Sequence, residues 1–163
     1  MFAYDQIVQT TSEDSGDLLA LDRQLCFALA VTNRTVLTLY RPLLEPLGLT
    51  HPQYLVMLAL WEESPRSVRS IGDALVLDSA TLSPLLKRLE AMGLVTRRRS
   101  DLDERRLDVA LTDAGTALRE RAEAIPPAVI DKLGVSLAEL ERLRDVLWDL
   151  NRAAATTPTG GQV

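Results

Sequence analysis

Cys26 is the only thiol in the 163-residue chain, set in the apolar run Leu25-Cys26-Phe27-Ala28-Leu29. Only a thiolate is a strong nucleophile, and it forms where neighbouring groups stabilise negative charge. Arg23, three residues earlier, offers weak help. Two readings of Cys26 alone stay open: a reactive thiol, or an inert core residue that behaves as a small hydrophobe. A single cysteine closes no intrachain disulfide, so a disulfide-framed secreted protein is excluded and a reducing cytoplasm is expected. With one Cys and one His a multi-thiolate zinc site is also excluded. No metal, cofactor or catalytic residue is expected.

A second set of residues suits the recognition of a polyanion. Net charge is −5, yet residues 64–106 hold nine Lys/Arg against six Asp/Glu, and the remainder holds nine against seventeen. This asymmetry predicts a basic reading head on an acidic body. Ser79, Thr81, Ser83, Lys87 and Arg88 place hydroxyls and cations on one stretch, suited to phosphates and base edges. Arg97, Arg98, Arg99, Arg105 and Arg106 flank one charged segment, and a tip arginine suits a narrow minor groove. Asp103, two residues before Arg105, is placed to orient that arginine by a charge-assisted hydrogen bond. Taken singly, each stretch also reads as a solvated helix or a salt-bridged hairpin.

The elements that must carry these residues follow from periodicity and caps. Leu18, Leu21, Leu25, Leu29, Val36, Leu37 and Tyr40 predict a long first helix from Leu18, which Pro42 ends or kinks near Arg41. Gly48 stops a short following turn. Thr50-His51-Pro52-Gln53 reads as a capping box, opening a helix that is apolar nearly all round from Tyr54 to Trp61 and hence central. Ser67 caps a short helix over Val68–Val76, and Leu77-Asp78 turns the chain. A second helix runs to about Met92, with Leu82, Leu85, Leu86 and Leu89 on one face. It starts as late as Ala80 or Thr81 if Pro84 is to sit in its first turn. Gly93 takes the position after the helix end.

Beyond Gly93 the period changes from helix to strand. Leu94–Arg97 and Leu107–Leu111 read as strands joined by a charged hairpin. Two helices joined by a turn and followed by a hairpin predict a mainly α protein with a small β-hairpin wing, a winged helix-turn-helix. Thr112 caps a helix over Asp113–Ala124, which Pro126-Pro127 breaks or bends, and Ser136/Glu139 form a second capping box before the last helix. The apolar stripes of the first and last helices exceed what a small winged domain can bury. They predict a two-fold dimer with recognition helices one DNA turn apart, roughly 34–36 Å. The expected organisation is a flexible arm over 1–16, dimerisation and sensor helices over 17–47, and the DNA-binding domain over 48–112. Dimerisation helices over 113–152 and a disordered tail over 153–163 complete it. No apolar run reaches the roughly 18 residues of a membrane span, and the acidic N-terminus is unlike a signal peptide.

The stretch from Leu77-Asp78-Ser79-Ala80-Thr81-Leu82-Ser83-Pro84 to Glu90, then Gly93-Leu94-Val95, Asp103-Glu104-Arg105-Arg106 and Leu111-Thr112-Asp113-Ala114-Gly115, resembles the MarR family. Leu25-Cys26-Phe27-Ala28-Leu29, Tyr40-Arg41-Pro42-Leu43-Leu44, Leu49-Thr50-His51-Pro52-Gln53-Tyr54 and Leu60-Trp61-Glu62 are similar to its organic-hydroperoxide-sensing branch. The resemblance covers about residues 20–125 and carries Pro84 with it. It implies a homodimeric repressor that releases operator DNA when its N-terminal cysteine is oxidised by an organic hydroperoxide. It implies a cysteine close to tyrosines of the partner subunit. Cys26 and Tyr40 match these positions, whereas His51 replaces the second tyrosine. A histidine there either contacts the thiolate, lowering its pKa when protonated, or has no sensing role. Some members carry a second, resolving cysteine; this chain is of the one-cysteine type, whose sulfenic acid is expected to condense with a low-molecular-weight thiol or a backbone nitrogen, or to be oxidised irreversibly further by excess oxidant. Two other readings remain: the same repressor answering a small aromatic ligand in the dimer crevice near Tyr40 and Trp61, and a thiol peroxidase using Cys26.

Overall fold

Residues 17–99 and 107–156 are described in a computed structural model. They fall in two units, one ending at Thr38 and the other beginning at Leu39. The expected arm, the end of the expected tail, and Asp103, Arg105 and Arg106 lie outside the described residues.

The first helix, α1, spans Leu25–Leu44, starting later and ending later than the sequence predicts. Its N-terminal turns are replaced by a 3-10 turn over Leu21–Arg23, because Ala20 and Gln24 both adopt extended backbone (ψ 129° and 120°). Leu18, Leu21, Leu25 and Leu29 all remain exposed. Pro42 lies inside α1 rather than ending it. A proline removes one i→i−4 hydrogen bond, and two residues from the helix end that loss is small. A 3-10 turn over Glu45–Leu47 follows, and Gly48 closes it with φ 69°.

The second unit builds one core around α2, His51–Glu62. The Gln53 side chain accepts from the Thr50 amide at 2.8 Å and from its hydroxyl at 2.9 Å, fixing the start of α2 by a capping box. Tyr54, Val56, Met57 and Leu60 are buried, so α2 is central as its pattern predicts. The two-residue strand β1 (Arg66–Ser67), absent from the sequence reading, leads into α3 (Val68–Leu75), whose N-cap Ser67 accepts from Ser70 N at 3.0 Å. Val76, at φ 54°, and Leu77 turn the chain into α4, Ser79–Ala91. Asp78 caps α4, accepting from the Thr81 amide at 2.7 Å. The cap places the start at Ser79, so Pro84 sits beyond the first turn, a correction to the later start that this proline suggests. Leu82, Leu86 and Leu89 seat α4 in the core.

Gly93 has φ 71°, and the Leu94 amide reaches back to the Leu89 carbonyl at 3.0 Å, a Schellman closure. Strands β2 (Val95–Arg99) and β3 (Leu107–Leu111) pair antiparallel with Val95 opposite Leu111 and Arg99 opposite Leu107. The sheet order is β1-β3-β2. Helix α5 (Asp113–Ala122) is capped by Thr112, two residues shorter than expected. Pro126 and Pro127 do not merely break it. They lie in the first turn of a further helix, α6 (Ile125–Leu133), where a missing N–H costs nothing. Ser136 and Glu139 form the second capping box, with Glu139 accepting from the Ser136 amide at 2.8 Å. Helix α7 then runs Leu137–Thr156, so Ala153–Thr156 are helical rather than tail, and none of its residues is buried.

Candidate DNA-reading surface and sensor site

Helices α3 and α4 with the β2–β3 hairpin define a winged helix-turn-helix. On α4, Ser79, Thr81, Lys87 and Arg88 are exposed and Ser83 is half-buried, so the outward face matches the sequence reading. Arg98 and Arg99 are exposed on β2. Among the described residues, Lys87, Arg88, Arg98 and Arg99 enter no ion pair.

Two arginines of the basic segment are engaged inside the protein instead. Arg66, only 13% exposed, donates to the Ala59 carbonyl at 3.1 Å and the Ser70 hydroxyl at 3.2 Å, with Glu62 and Glu63 at 3.6 Å. Arg97 donates from Nε to Glu90 Oε2 at 2.9 Å, and its second guanidinium nitrogen reaches the same oxygen. Its backbone amide donates to Glu90 Oε1 at 3.3 Å. This hydrogen-bonded cation holds the Glu90 carboxyl below the usual carboxylate range. Glu90 is a residue that the sequence reading missed; seven positions from Arg97 and across a turn, it carries no local signal.

The residues assigned to sensing divide between the two units. Cys26 is exposed in the first. Tyr40 and His51 lie in the second, edge to face with ring centroids 5.2 Å apart. The chain of rings continues from Tyr40 to Tyr54 at 6.1 Å and from Tyr54 to Trp61 at 6.3 Å, and Trp61 Nε1 donates to the Gly115 carbonyl at 2.9 Å. Tyr54 is a further aromatic that its place in an all-round apolar helix concealed. Burial raises the Tyr40 hydroxyl pKa, and burial with the Tyr40 charge second raises that of Tyr54. Both phenols are hydrogen-bond donors at neutral pH.

Burial lowers the His51 pKa from 6.5. Burial thus favours the uncharged ring, the form that can share a hydrogen bond with a thiol but brings no positive charge to it. A depressed folded-state pKa adds stability above the unfolded value that is lost as pH falls through the folded one. Thermal melting between pH 7 and 5 should therefore show wild type losing modestly more stability than His51→Gln. Equal losses would show that the imidazole titrates as in solvent.

Beside this aromatic chain an open groove of about 290 Å³ is lined by Tyr54, Leu58, Trp61, Arg119, Ala122 and Pro126, with Glu62 and Glu123. No group of three or more potential metal ligands occurs among the described residues, and no described helix is long and apolar enough to cross a membrane.

Comparison with known proteins agrees with this architecture. The family model "Transcriptional regulator SarA/Rot" matches residues 38–121. The organic hydroperoxide resistance transcriptional regulator of Bacillus subtilis is 42% identical over 85% of this chain and 94% of its own. The structure of reduced AbfR bound to DNA superposes with TM-score 0.71 at 38% identity, over 83% of this chain and 92% of that one. AbfR, from Staphylococcus epidermidis, is also known overoxidised on DNA and in a disulfide form. CouR of Rhodococcus jostii RHA1, solved with p-coumaroyl-CoA, superposes with TM-score 0.70 at 26% identity over 88% of this chain and 99% of its own. The chain belongs to the MarR family of winged helix-turn-helix transcriptional regulators, in the branch of the organic hydroperoxide resistance regulator. It is a regulator of transcription and not an enzyme.

Proposed function

We propose that this protein is a cytoplasmic homodimeric repressor that releases operator DNA when an organic hydroperoxide oxidises Cys26. The observation that carries the reading is the combination of an exposed lone thiol with a cationic surface on α4 and β2 whose Lys87, Arg88, Arg98 and Arg99 enter no ion pair among the described residues. Exposed Leu18, Leu21 and Leu25 in the first unit, and exposed Leu137, Leu143, Val146 and Trp148 on α7, support a dimer. They supply the apolar area that a two-fold partner covers. Ser79, Thr81, Ser83, Lys87 and Arg88 read the major groove, while Arg98 and Arg99, with Asp103, Arg105 and Arg106 beyond them, serve the wing. Tyr40 and His51 meet the partner's sensor thiol.

The Cys26 thiolate attacks one hydroperoxide oxygen, the O–O bond breaks, and the alkoxide leaves as an alcohol after protonation. The resulting sulfenic acid condenses with a small thiol, forming an S–S bond and releasing water. Because AbfR in its overoxidised state has been solved on DNA, we assign release to the bulky thiol adduct rather than to the higher acids. The adduct disturbs the Tyr40 and His51 contacts and shifts the dimer to a state with the wrong operator spacing.

The test is a mobility shift on the chain's own upstream DNA, with and without cumene hydroperoxide plus thiol, with protein mass measured in parallel. Release coincident with the adduct mass supports the reading; release with an unmodified thiol sinks it. In the same assay Lys87→Ala should weaken binding across sequences. It should also reduce the log K against log salt slope by about 2 per dimer, one phosphate contact per protomer. An unchanged slope removes Lys87 from the interface.

A second reading rests on the groove beside Tyr54 and Trp61 together with the ligand-bound CouR. In it a small aromatic ligand releases the same repressor. Release by a salicylate-like compound with no oxidant would favour it.

A further inference from the structure

We propose that Glu90 and Arg97 act as a staple that sets the angle of the wing against the recognition helix, as positioning residues for operator binding rather than DNA contacts. The proposal rests on the DNA-binding reading above and adds two residues to its machinery.

The staple joins two elements that must meet the duplex together. Glu90 lies in the last turn of α4 and Arg97 is the third residue of β2. One carboxylate receives three donors from Arg97, two from the guanidinium and one from the backbone amide. It therefore fixes the strand itself as well as the side chain. The residue paired with Arg97 across the hairpin is Val109, which is fully buried, so this side of the strand cannot yield without opening the core.

The other side of the wing root is held separately. Thr112 Oγ1 donates to the Gly93 carbonyl at 2.6 Å, and the Thr112 amide donates to the Leu94 carbonyl at 3.1 Å. Past Arg97 the ladder with β3 continues to Arg99, but no described ion pair ties the strand to α4: Arg98 and Arg99 are exposed and without an ion pair among the described residues. Arg99 lies two residues further out, roughly 7 Å along an extended strand, so a small tilt at Arg97 is carried to the cations beyond it.

A cation neutralised by a carboxylate within the protein displaces no counterion from DNA, whereas one that neutralises a phosphate contributes about 0.9 to the salt slope. Arg97, 22% exposed and paired with Glu90, belongs to the first kind.

The experiment compares wild type, Glu90→Gln, Arg97→Gln and the double variant in operator titrations over a salt series, with Arg98→Gln as the phosphate-contact control. Each staple variant should lose about tenfold in affinity, and the double variant should lose no more than either single, the signature of residues acting as a unit. The salt slope of Arg97→Gln should equal that of wild type, while that of Arg98→Gln should fall. A reduced slope in Arg97→Gln, or tighter binding by Glu90→Gln, overturns the proposal, because Arg97 is then a phosphate contact that Glu90 restrains. Affinity losses that only track losses in melting temperature overturn it as well. If wild type itself shows no salt-dependent affinity for any duplex, the DNA-binding reading falls and the staple with it.

Discussion

Cys26→Ser will hold operator DNA at hydroperoxide concentrations that release wild type, and without oxidant it will bind as wild type does. Serine is nearly isosteric and Cys26 is exposed, so the substitution removes no core packing. What it removes is the sulfur on which the switch depends. A coupling of 1–3 kcal/mol between a modified site and a ligand corresponds to a roughly 5–150-fold change in affinity. Wild type should lose affinity within that range on oxidation, and the variant should lose none. Titrations with and without cumene hydroperoxide and thiol measure both. Release of the serine variant by oxidant would move the sensing chemistry elsewhere, to a methionine or an aromatic residue.

Gly115→Ala will destabilise the protein by about 3 kcal/mol or more, at or beyond the upper end of ordinary overpacking. Helix propensity alone predicts the opposite sign, since alanine is favoured over glycine in a helix by about 1 kcal/mol. Packing decides the outcome. A Cβ at Gly115 would lie 2.0 Å from the Leu94 carbonyl oxygen and 3.3 Å from Leu111 Cδ2. The obstacle is backbone at the root of the wing, and it cannot swing aside as a side chain can. Moving α5 instead would pull the Gly115 carbonyl from the Trp61 indole. For a chain of this size the loss corresponds to a fall in melting temperature of roughly 6–12 °C, readable by calorimetry. A melting temperature equal to or above that of wild type would show that the wing root yields freely.

Local chemistry made most of this fold legible in the sequence. Thr50 with Gln53, Ser67, Thr112, and Ser136 with Glu139 each announce a helix start through a side chain that satisfies a nearby amide, and each does so in the structure. Gly93 marks the end of α4 because only a residue tolerant of positive φ closes that turn cheaply. The outward residues of α4 were equally readable, being the complement of Leu82, Leu86 and Leu89. Proline misled where its meaning depends on position. Pro126 and Pro127 do mark the break after α5, but that they open a new helix could not be read, since a first-turn place depends on where α5 stops. Pro42 and Pro84 sit inside helices whose remaining packing outweighs one absent hydrogen bond.

The rest was hidden because it is non-local. Strand β1 has two residues and exists only by pairing with β3, some forty positions away. The Glu90–Arg97 contact crosses the Schellman turn, and the charge pattern alone lists Arg97 among the DNA-binding arginines. The protonation state of His51 follows from burial, which no single residue type reveals. Cys26 shows the limit from the other side, since its neighbours in sequence are compatible with inert and reactive thiols alike.

The hydrogen bond from Trp61 to Gly115 gives the protein an intrinsic optical probe. Of its two indoles, Trp148 is about half exposed on α7, on the face assigned above to the dimer partner, and its emission would report that face. Trp61 is tied to the Gly115 carbonyl beneath the wing root and lies edge to face against Tyr54. With Trp148→Phe the remaining fluorescence reports one joint, and movement there becomes visible in a cuvette without a label.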